Sequence, residues 1–371
     1  LQTTPSYEPY QRQLILPNFG EAAQQKLASA RVLVIGAGGL GCPALQYLSA
    51  IGVGHIGIVD EDVVSISNLH RQILYTTDDL GKLKTEVAQD RIQKMNTNCT
   101  VSTHSVAITQ FNAVDIINNY DVVLDCTDNF KARYIINDAC ILLKKPVVFG
   151  AVFQYEGQVA VFNHGIDAVH YRDLFPVSPT AAEAPNCIES GVFNIVTGII
   201  GTLQAGEAIK IITGIGEPLS NRLMSYNSLS LNFYTVKLSK NPDAKKNTPA
   251  TKEEFLQYDY NQFCGLHHLK DEISAEEFDA LRNRTDVQLI DIRNKDEQPN
   301  VDELNAIRIP LSELKLHIDL FEKEKQIILF CHSGIRTLDA LDILQDECQL
   351  NNVSHLKGGI IRWLDYKSNK K

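Results

Sequence analysis

The chain has 371 residues, 44% of them hydrophobic, and a formal charge of -10. That length supplies apolar material for roughly two to three packed domains. The acidic balance argues against a nucleic-acid scaffold and agrees with a partner that presents basic patches. No apolar run approaches the ~18 residues of a membrane span and no charged-then-apolar leader opens the chain, so the expectation is a cytoplasmic protein that does not engage a membrane. Eight scattered cysteines make no disulfide framework and read instead as core fillers, catalytic thiols or metal ligands.

In chain order, residues 11–27 are patterned as an amphipathic opening helix. The apolar strand Val32-Leu33-Val34-Ile35 then runs into Gly36-Ala37-Gly38-Gly39-Leu40-Gly41, a helix to residue 50 and a strand at 56–59 ending on Asp60. This is one βαβ unit. Helices at 82–95, 113–118 and 130–143 alternate with strands at 101–106, 122–124 and 147–149. The alternation implies a doubly wound parallel sheet with ligands above the C-terminal strand ends. At 153–162 and 222–238 the period shortens towards two, which predicts an antiparallel extension of the same sheet. Between them, residues 191–212 predict a long buried helix. Residues 239–254 have little apolar content and two prolines, the composition of a linker. Strands at 287–292, 326–330 and 353–356 with a helix at 337–345 predict a second, small α/β domain. The expected domains are 1–240 and 267–371, with 241–266 between them.

Gly36, Gly38 and Gly41 satisfy G-x-G-x-x-G, and Asp60 follows at the distance of a ribose-binding acid, a pattern that a dehydrogenase also carries. The next segment shifts the balance. Ser67-Asn68-Leu69-His70-Arg71-Gln72, then Lys84, places an amide, a guanidinium and an ammonium where they could meet phosphates. Asp125-Cys126-Thr127-Asp128-Asn129 ends another strand over the same switch point. Hydride transfer needs no such set, whereas nucleotidyl transfer must neutralise a triphosphate, commonly with Mg2+ held by a carboxylate such as Asp128.

Near the other end, Cys331-His332-Ser333-Gly334-Ile335-Arg336-Thr337 follows the apolar run Ile327-Ile328-Leu329-Phe330. A thiol at a strand mouth, in a short loop closed by an arginine, suits an anionic sulfur, because converging N–H groups and cationic charge depress a thiol pKa.

Simpler roles compete for several of these residues. Asp60 and Asp128 also suit helix N-caps, Arg12, Arg71 and Arg133 suit surface ion pairs, and Cys42, Cys126 and Cys140 lie in patterns of buried filler. Cys187 stands apart in a polar, proline-containing stretch that could carry a nucleophile.

Tyr10-Gln11-Arg12-Gln13, the glycine turn, Asp60, residues 67–72, Lys84, residues 125–129 with Arg133, Gly157-Gln158-Val159, Cys187-Ile188-Glu189-Ser190-Gly191-Val192 and Gly201-Thr202-Leu203-Gln204-Ala205 resemble, in order, the signature segments of the ubiquitin-activating-type adenylyltransferases. The nearest subgroup activates sulfur-carrier proteins for molybdopterin biosynthesis, thiamine biosynthesis or tRNA thiolation. The tail, through Leu289-Ile290-Asp291-Ile292-Arg293, Ile309-Pro310-Leu311, the Cys331 loop, Lys357-Gly358-Gly359-Ile360 and Trp363, resembles a single rhodanese domain. The fold implied is α/β: a Rossmann-like, mainly parallel sheet with an antiparallel extension, plus a small rhodanese-like α/β domain.

The resemblance also implies roles. Gly36, Gly38, Gly39 and Gly41 would let the backbone approach ATP, and Asp60 would bind its ribose. Ser67, Asn68, Arg71, Lys84 and Asn129 would line the nucleotide, with Asp128 on Mg2+. Arg12 would reach a partner subunit's site in a homodimer. The substrate would be a ubiquitin-like carrier ending in Gly-Gly, and the sulfur would come from thiosulfate or a cysteine desulfurase through a Cys331 persulfide near Arg336, with Cys187 as a second nucleophile. Carrier adenylation alone, a non-catalytic carrier-binding scaffold and an NAD-dependent oxidoreductase are the alternatives.

Two departures limit the transfer. Relatives hold zinc with two C-x-x-C pairs, where this chain has His170-Tyr171-Arg172-Asp173 and Asn261-Gln262-Phe263-Cys264. Those side chains lack four soft donors, so zinc is expected to be absent. Around Val301-Asp302-Glu303 the usual rhodanese Gly-His-Ile segment is also replaced.

Overall fold

The computed structural model describes residues 8–179, 191–264, 271–334 and 336–369. They divide into two compact units, one holding 8–177 with 191–260 and the other 178–179 with 261–369.

The first unit is built on an eight-stranded sheet. Its strands are β1 (Arg31–Ile35), β2 (His55–Val59), β3 (Thr100–His104), β4 (Val122–Asp125), β5 (Val147–Phe153), β6 (Glu156–Phe162), β7 (Arg222–Asn227) and β8 (Asn232–Lys237), in the order β3-β2-β1-β4-β5-β6-β7-β8. The first five are mutually parallel and the last three antiparallel. Val32, Leu33, Val34 and Ile35 are all buried, as expected of a strand covered on both faces. Ile35 lies beside Val59 on one side and Asp125 on the other. Three strands therefore end together at the point where the strand order reverses, with Gly36, Asp60 and Cys126 as their next residues.

Against the expectation that no apolar run approaches a membrane span, the helix Asn194–Thr213 is long and apolar enough by length and composition to cross a membrane. Here Val196, Ile200, Ala205 and Ala208 sink into the core against β4, β5, β6 and the helices Gly20–Ser29 and Gly41–Ala50.

Two stretches fold differently from the sequence expectation. The opening helix is broken into Gln11–Leu14 and Gly20–Ser29. Pro17 supplies no N–H and restricts the residue before it, and Asn18 and Gly20 adopt positive φ. The stretch 239–254, expected to be a linker, contains the helix Ala244–Asn247 and the first half of Lys252–Gln257. Ala244 is buried within it, and directly after it Phe255 is buried and meets the buried Tyr260 ring edge-on.

The second unit holds a five-stranded, wholly parallel sheet of β9 (Glu272–Ile273), β10 (Val287–Asp291), β11 (Ile307–Arg308), β12 (Gln326–Phe330) and β13 (Val353–Leu356), ordered β11-β10-β12-β13-β9. The helices Ala275–Leu281, Arg336–Asp342 and Gly359–Asn369 accompany it. β12 is central, and Ile327, Ile328, Leu329 and Phe330 are buried. Around the replaced segment, Val301 and Leu304 pack into this unit's core.

Candidate functional site

The glycine turn is shaped by backbone contact. Gly36 sits at φ +95°, and a Cβ there would lie 2.7 Å from the Cys126 carbonyl oxygen. A Cβ on Gly41 would come within 2.0 Å of the Gly36 oxygen. Gly38 and Gly39 have more room, their nearest neighbours being Gln72 and Thr197 at 3.4 and 3.2 Å.

Asp60 braces this turn. Its Oδ2 accepts the Ala37 N–H at 2.7 Å and its Oδ1 the Asp62 N–H at 2.8 Å. Burial pushes the Asp60 carboxyl above the ordinary aspartate value, against the pull of Lys84 and these N–H groups. Tyr75 donates its hydroxyl to the Ala37 carbonyl at 2.8 Å.

Lys84 begins the helix Lys84–Met95, its side chain only 4% exposed, and its ammonium donates to Asp62 Oδ2 at 2.7 Å. Arg71 donates to Asn68 Oδ1 at 2.8 Å and to the Ser67 carbonyl at 3.3 Å. The Asn194 side chain donates to the His70 carbonyl at 3.0 Å, tying this segment to the long core helix. Gln72 Oε1 is buried without a hydrogen-bond partner among the described residues. An orphaned acceptor beside Gly38 fits a site that receives a polar ligand.

At the end of β4, Asp125 accepts the Thr127 N–H and hydroxyl at 3.0 and 2.6 Å. Asn129 accepts the Ala132 N–H at 2.9 Å and so caps the helix Phe130–Leu143. Asp128 is exposed between them. Arg133 donates to the Thr127 carbonyl at 3.0 Å and lies over the Phe149 ring.

The second candidate site follows β12. Cys331 is buried, and its sulfur accepts the Gly334 N–H at 3.1 Å. The N–H groups of Ile360 and Ile361 donate to the Cys331 and His332 carbonyls at 2.9 and 3.3 Å, docking the loop on the start of the helix Gly359–Asn369. Arg336 makes a bidentate pair with Glu297, one arm at 2.9 Å. Burial would raise the Glu297 carboxyl, but hydrogen bonds from Arg336 hold it below the ordinary value.

A family model described as ThiF family matches residues 10–248, and one described as rhodanese-like domain matches residues 274–366. The chain belongs to the ThiF family.

Among its relatives, the sulfur carrier protein adenylyltransferase of Thermus thermophilus is 46% identical over 71% of this chain and 98% of its own length. The probable adenylyltransferase/sulfurtransferase MoeZ of Mycobacterium tuberculosis is 39% identical over 95% of this chain and 92% of its own. MOCS3 of Drosophila sechellia, an adenylyltransferase and sulfurtransferase, is 38% identical over 95% of this chain and 82% of its own. Among solved structures, E. coli MccB with MccA-N7isoASN shares the fold, with a TM-score of 0.56 and 21% identity over 65% of this chain and 74% of that one.

In this ThiF-family chain, direct contacts link the glycine turn, Asp60, Asp62 and Lys84, while Ser67, Asn68 and Arg71 form a second cluster in the following segment. Arg12 is exposed on the helix Gln11–Leu14. Cys187 lies outside the described residues. Asn129, expected to line a nucleotide, spends its side-chain oxygen on a helix cap. Asp62, Tyr75 and Thr197 were not anticipated. For Asp62 the signal was its position two residues after Asp60, whereas Thr197 reaches Gly39 only through the tertiary fold.

The stretch 170–173 forms the turn Tyr171–Leu174, with Asp173 accepting the His170 N–H at 2.8 Å. Arg172 is fully buried and donates to both oxygens of Asp138 at 2.9 and 2.7 Å, and Tyr260 donates to the same carboxylate at 2.8 Å. Among the described residues no three His, Cys, Asp or Glu side chains gather as a metal site.

Proposed function

We propose that this chain uses ATP and Mg2+ to adenylate the C-terminal Gly-Gly carboxylate of a ubiquitin-like sulfur-carrier protein, and that a Cys331 persulfide then provides the sulfur for a thiocarboxylate. The observation that carries this reading is a glycine turn braced by Asp60 and linked through Asp62 to Lys84 in one unit, and a sulfur held by a backbone N–H in the other.

In the first step a carboxylate oxygen of the carrier attacks the α-phosphorus of ATP, the bond to the β-phosphate oxygen breaks, and pyrophosphate leaves. The turn N–H groups, Lys84 and Arg71 stabilise charge on the phosphates. Lys84 exchanges its present partner, the exposed Asp62, for a phosphate oxygen. Asp60 keeps the Ala37 N–H fixed, and in this reading also meets the ribose. Mg2+ held by the exposed Asp128 would neutralise charge on the phosphates; one carboxylate with phosphate oxygens and water is an ordinary set for that ion.

In the second step the acyl group passes from AMP to sulfur, either directly to the Cys331 persulfide or by way of a Cys187 thioester. The resulting acyl disulfide on Cys331 is opened by a thiol, which releases the thiocarboxylate, and a second thiol returns Cys331 to its reduced form. The Cys331 thiolate is reloaded by taking the outer sulfur of thiosulfate, whose S–S bond breaks to release sulfite, or that of a cysteine desulfurase persulfide, which leaves as a thiol. Arg12 serves the partner subunit's site in a homodimer. Internal bonding of Arg172 and Asp173 supports a fold that holds without zinc.

The test is intact mass spectrometry of Gly-Gly-ended carriers incubated with the chain, Mg2+, ATP and thiosulfate. A carrier gaining sulfur in place of oxygen is expected, and it should be lost in Cys331→Ala while carrier-dependent pyrophosphate exchange persists. Thiocarboxylate at the native rate in Cys331→Ala would refute the sulfur role. Unchanged exchange in Asp128→Ala would remove Asp128 from the mechanism. Failure of mixed Arg12→Ala and Asp128→Ala subunits to regain exchange, after proven subunit exchange, would refute the shared site.

A further inference from the structure

We propose that His355 is a positioning residue for the Cys331 sulfur, acting through Thr337 and Gly334. The proposal rests on the reading of Cys331 as the persulfide carrier.

The path is a chain of short contacts. Gly334 donates its N–H to Cys331 Sγ at 3.1 Å, and its carbonyl accepts the Thr337 hydroxyl at 2.9 Å. Thr337 Oγ1 lies 2.9 Å from His355 Nδ1. Cys331 and Thr337 are 0% exposed and His355 2%. A hydroxyl has one proton, and Thr337 places it on the Gly334 carbonyl. The threonine oxygen is then left as acceptor, so His355 donates from Nδ1.

Strand register puts the histidine there. His355 on β13 pairs with Leu329 on β12, two residues before Cys331, so the strand that delivers the cysteine has the histidine as its neighbour. On its other side Gly334 is confined by backbone: it sits at φ +85°, and a Cβ would lie 2.7 and 2.9 Å from the Gly358 and Gly359 nitrogens. The residue that donates to sulfur is thus held between the start of the helix Gly359–Asn369 and the Thr337–His355 pair.

An N–H aimed at sulfur favours its anionic form, and the gain depends on the donor being fixed in direction. Releasing the Gly334 carbonyl gives that residue rotational freedom and weakens the donation. His355 therefore tunes the thiolate, and hence how readily Cys331 accepts and passes on sulfur, from one strand away.

The experiment compares H355L, H355N, T337V and T337S in the full chain. Asparagine keeps an N–H near the Nδ1 position, and serine keeps the hydroxyl. Two quantities are measured: the pH dependence of Cys331 alkylation by iodoacetamide, located by peptide mass spectrometry, and the rate of Cys331 persulfide formation from thiosulfate. H355L and T337V should move the alkylation midpoint to higher pH and slow persulfide formation at neutral pH about tenfold. H355N and T337S should stay within about twofold of the parent, and pyrophosphate exchange should be unchanged throughout. A parent-like midpoint in H355L, or H355N as impaired as H355L, would overturn the proposal. Should H355L not fold, a T337V midpoint equal to that of T337S overturns it equally. A parent chain that gains no persulfide at Cys331 defeats the sulfur-transfer reading, and the alkylation midpoints then still decide whether His355 tunes the thiol.

Discussion

Replacing Lys84 by methionine separates the work of its charge from its packing. Methionine keeps the length and apolar stem of lysine and suits the start of a helix. The only ion pair in which Lys84 takes part among the described residues is with Asp62, 65% of whose side chain is exposed. A half-solvated pair is worth about 0.5–1 kcal/mol, and Asp62 can return to water when its partner goes. The thermal midpoint should therefore fall by no more than about 4 °C. Catalysis should respond on another scale. A preorganised donor aimed at charge that develops in the transition state contributes about 2.7–4 kcal/mol, a loss of about 100- to 1,000-fold. The assay is carrier-dependent exchange of labelled pyrophosphate into ATP, followed as kcat/KM, beside a thermal melt. Asp62→Asn is the companion variant, since it releases Lys84 from its resting partner and should lower KM for ATP without lowering kcat. Exchange within threefold of the parent in Lys84→Met, or a loss of activity matched by an equal loss of stability, would refute the assignment of Lys84 to the phosphates.

Exchange should fail on the acid side at a pH above the ordinary aspartate value: burial raises Asp60, so its carboxylate is lost as pH falls through that raised value. The midpoint of the acid limb measures this, and it should rise further in Lys84→Met, because the nearby cation that lowers Asp60 is gone. Gly41→Ala should abolish nucleotide binding in a fluorescent-ATP titration, since its Cβ meets the Gly36 carbonyl at 2.0 Å, whereas Gly38→Ala, with only the Gln72 amide at 3.4 Å, should bind with a modest loss. Asp138→Asn removes the charge of the buried carboxylate that Arg172 and Tyr260 share and should cost about 3–5 kcal/mol, seen as a drop of the order of 10 °C in the melting of the first unit.

The sequence by itself determined the local elements and the chemistry-bearing types. β1, the glycine turn, the helix Phe130–Leu143, β12 and the Cys331 loop were legible because period, glycine placement and flanking apolar runs are properties of adjacent residues. The residues proposed for the nucleotide were chosen as types, a carboxylate, an amide and two cations in order, because a triphosphate demands them. Failures came where adjacency misleads. Periodicity ran straight through Pro17 and joined two helices, and a polar composition hid the burial of Ala244, Phe255 and Tyr260.

Only the tertiary structure decided which side chains meet. Strand order brings the ends of β1, β2 and β4 together, so that Gly36, Asp60 and Cys126, far apart in the chain, become neighbours. Asn129 became a helix cap because a helix begins directly after it. Arg172 found Asp138 and Tyr260 from distant segments, and His355 came beside Thr337 through the register of two parallel strands. Such pairings depend on long-range geometry, which residue types and spacing do not encode one segment at a time: a buried charge or hydroxyl is satisfied by whichever partner the packed sheet presents to it.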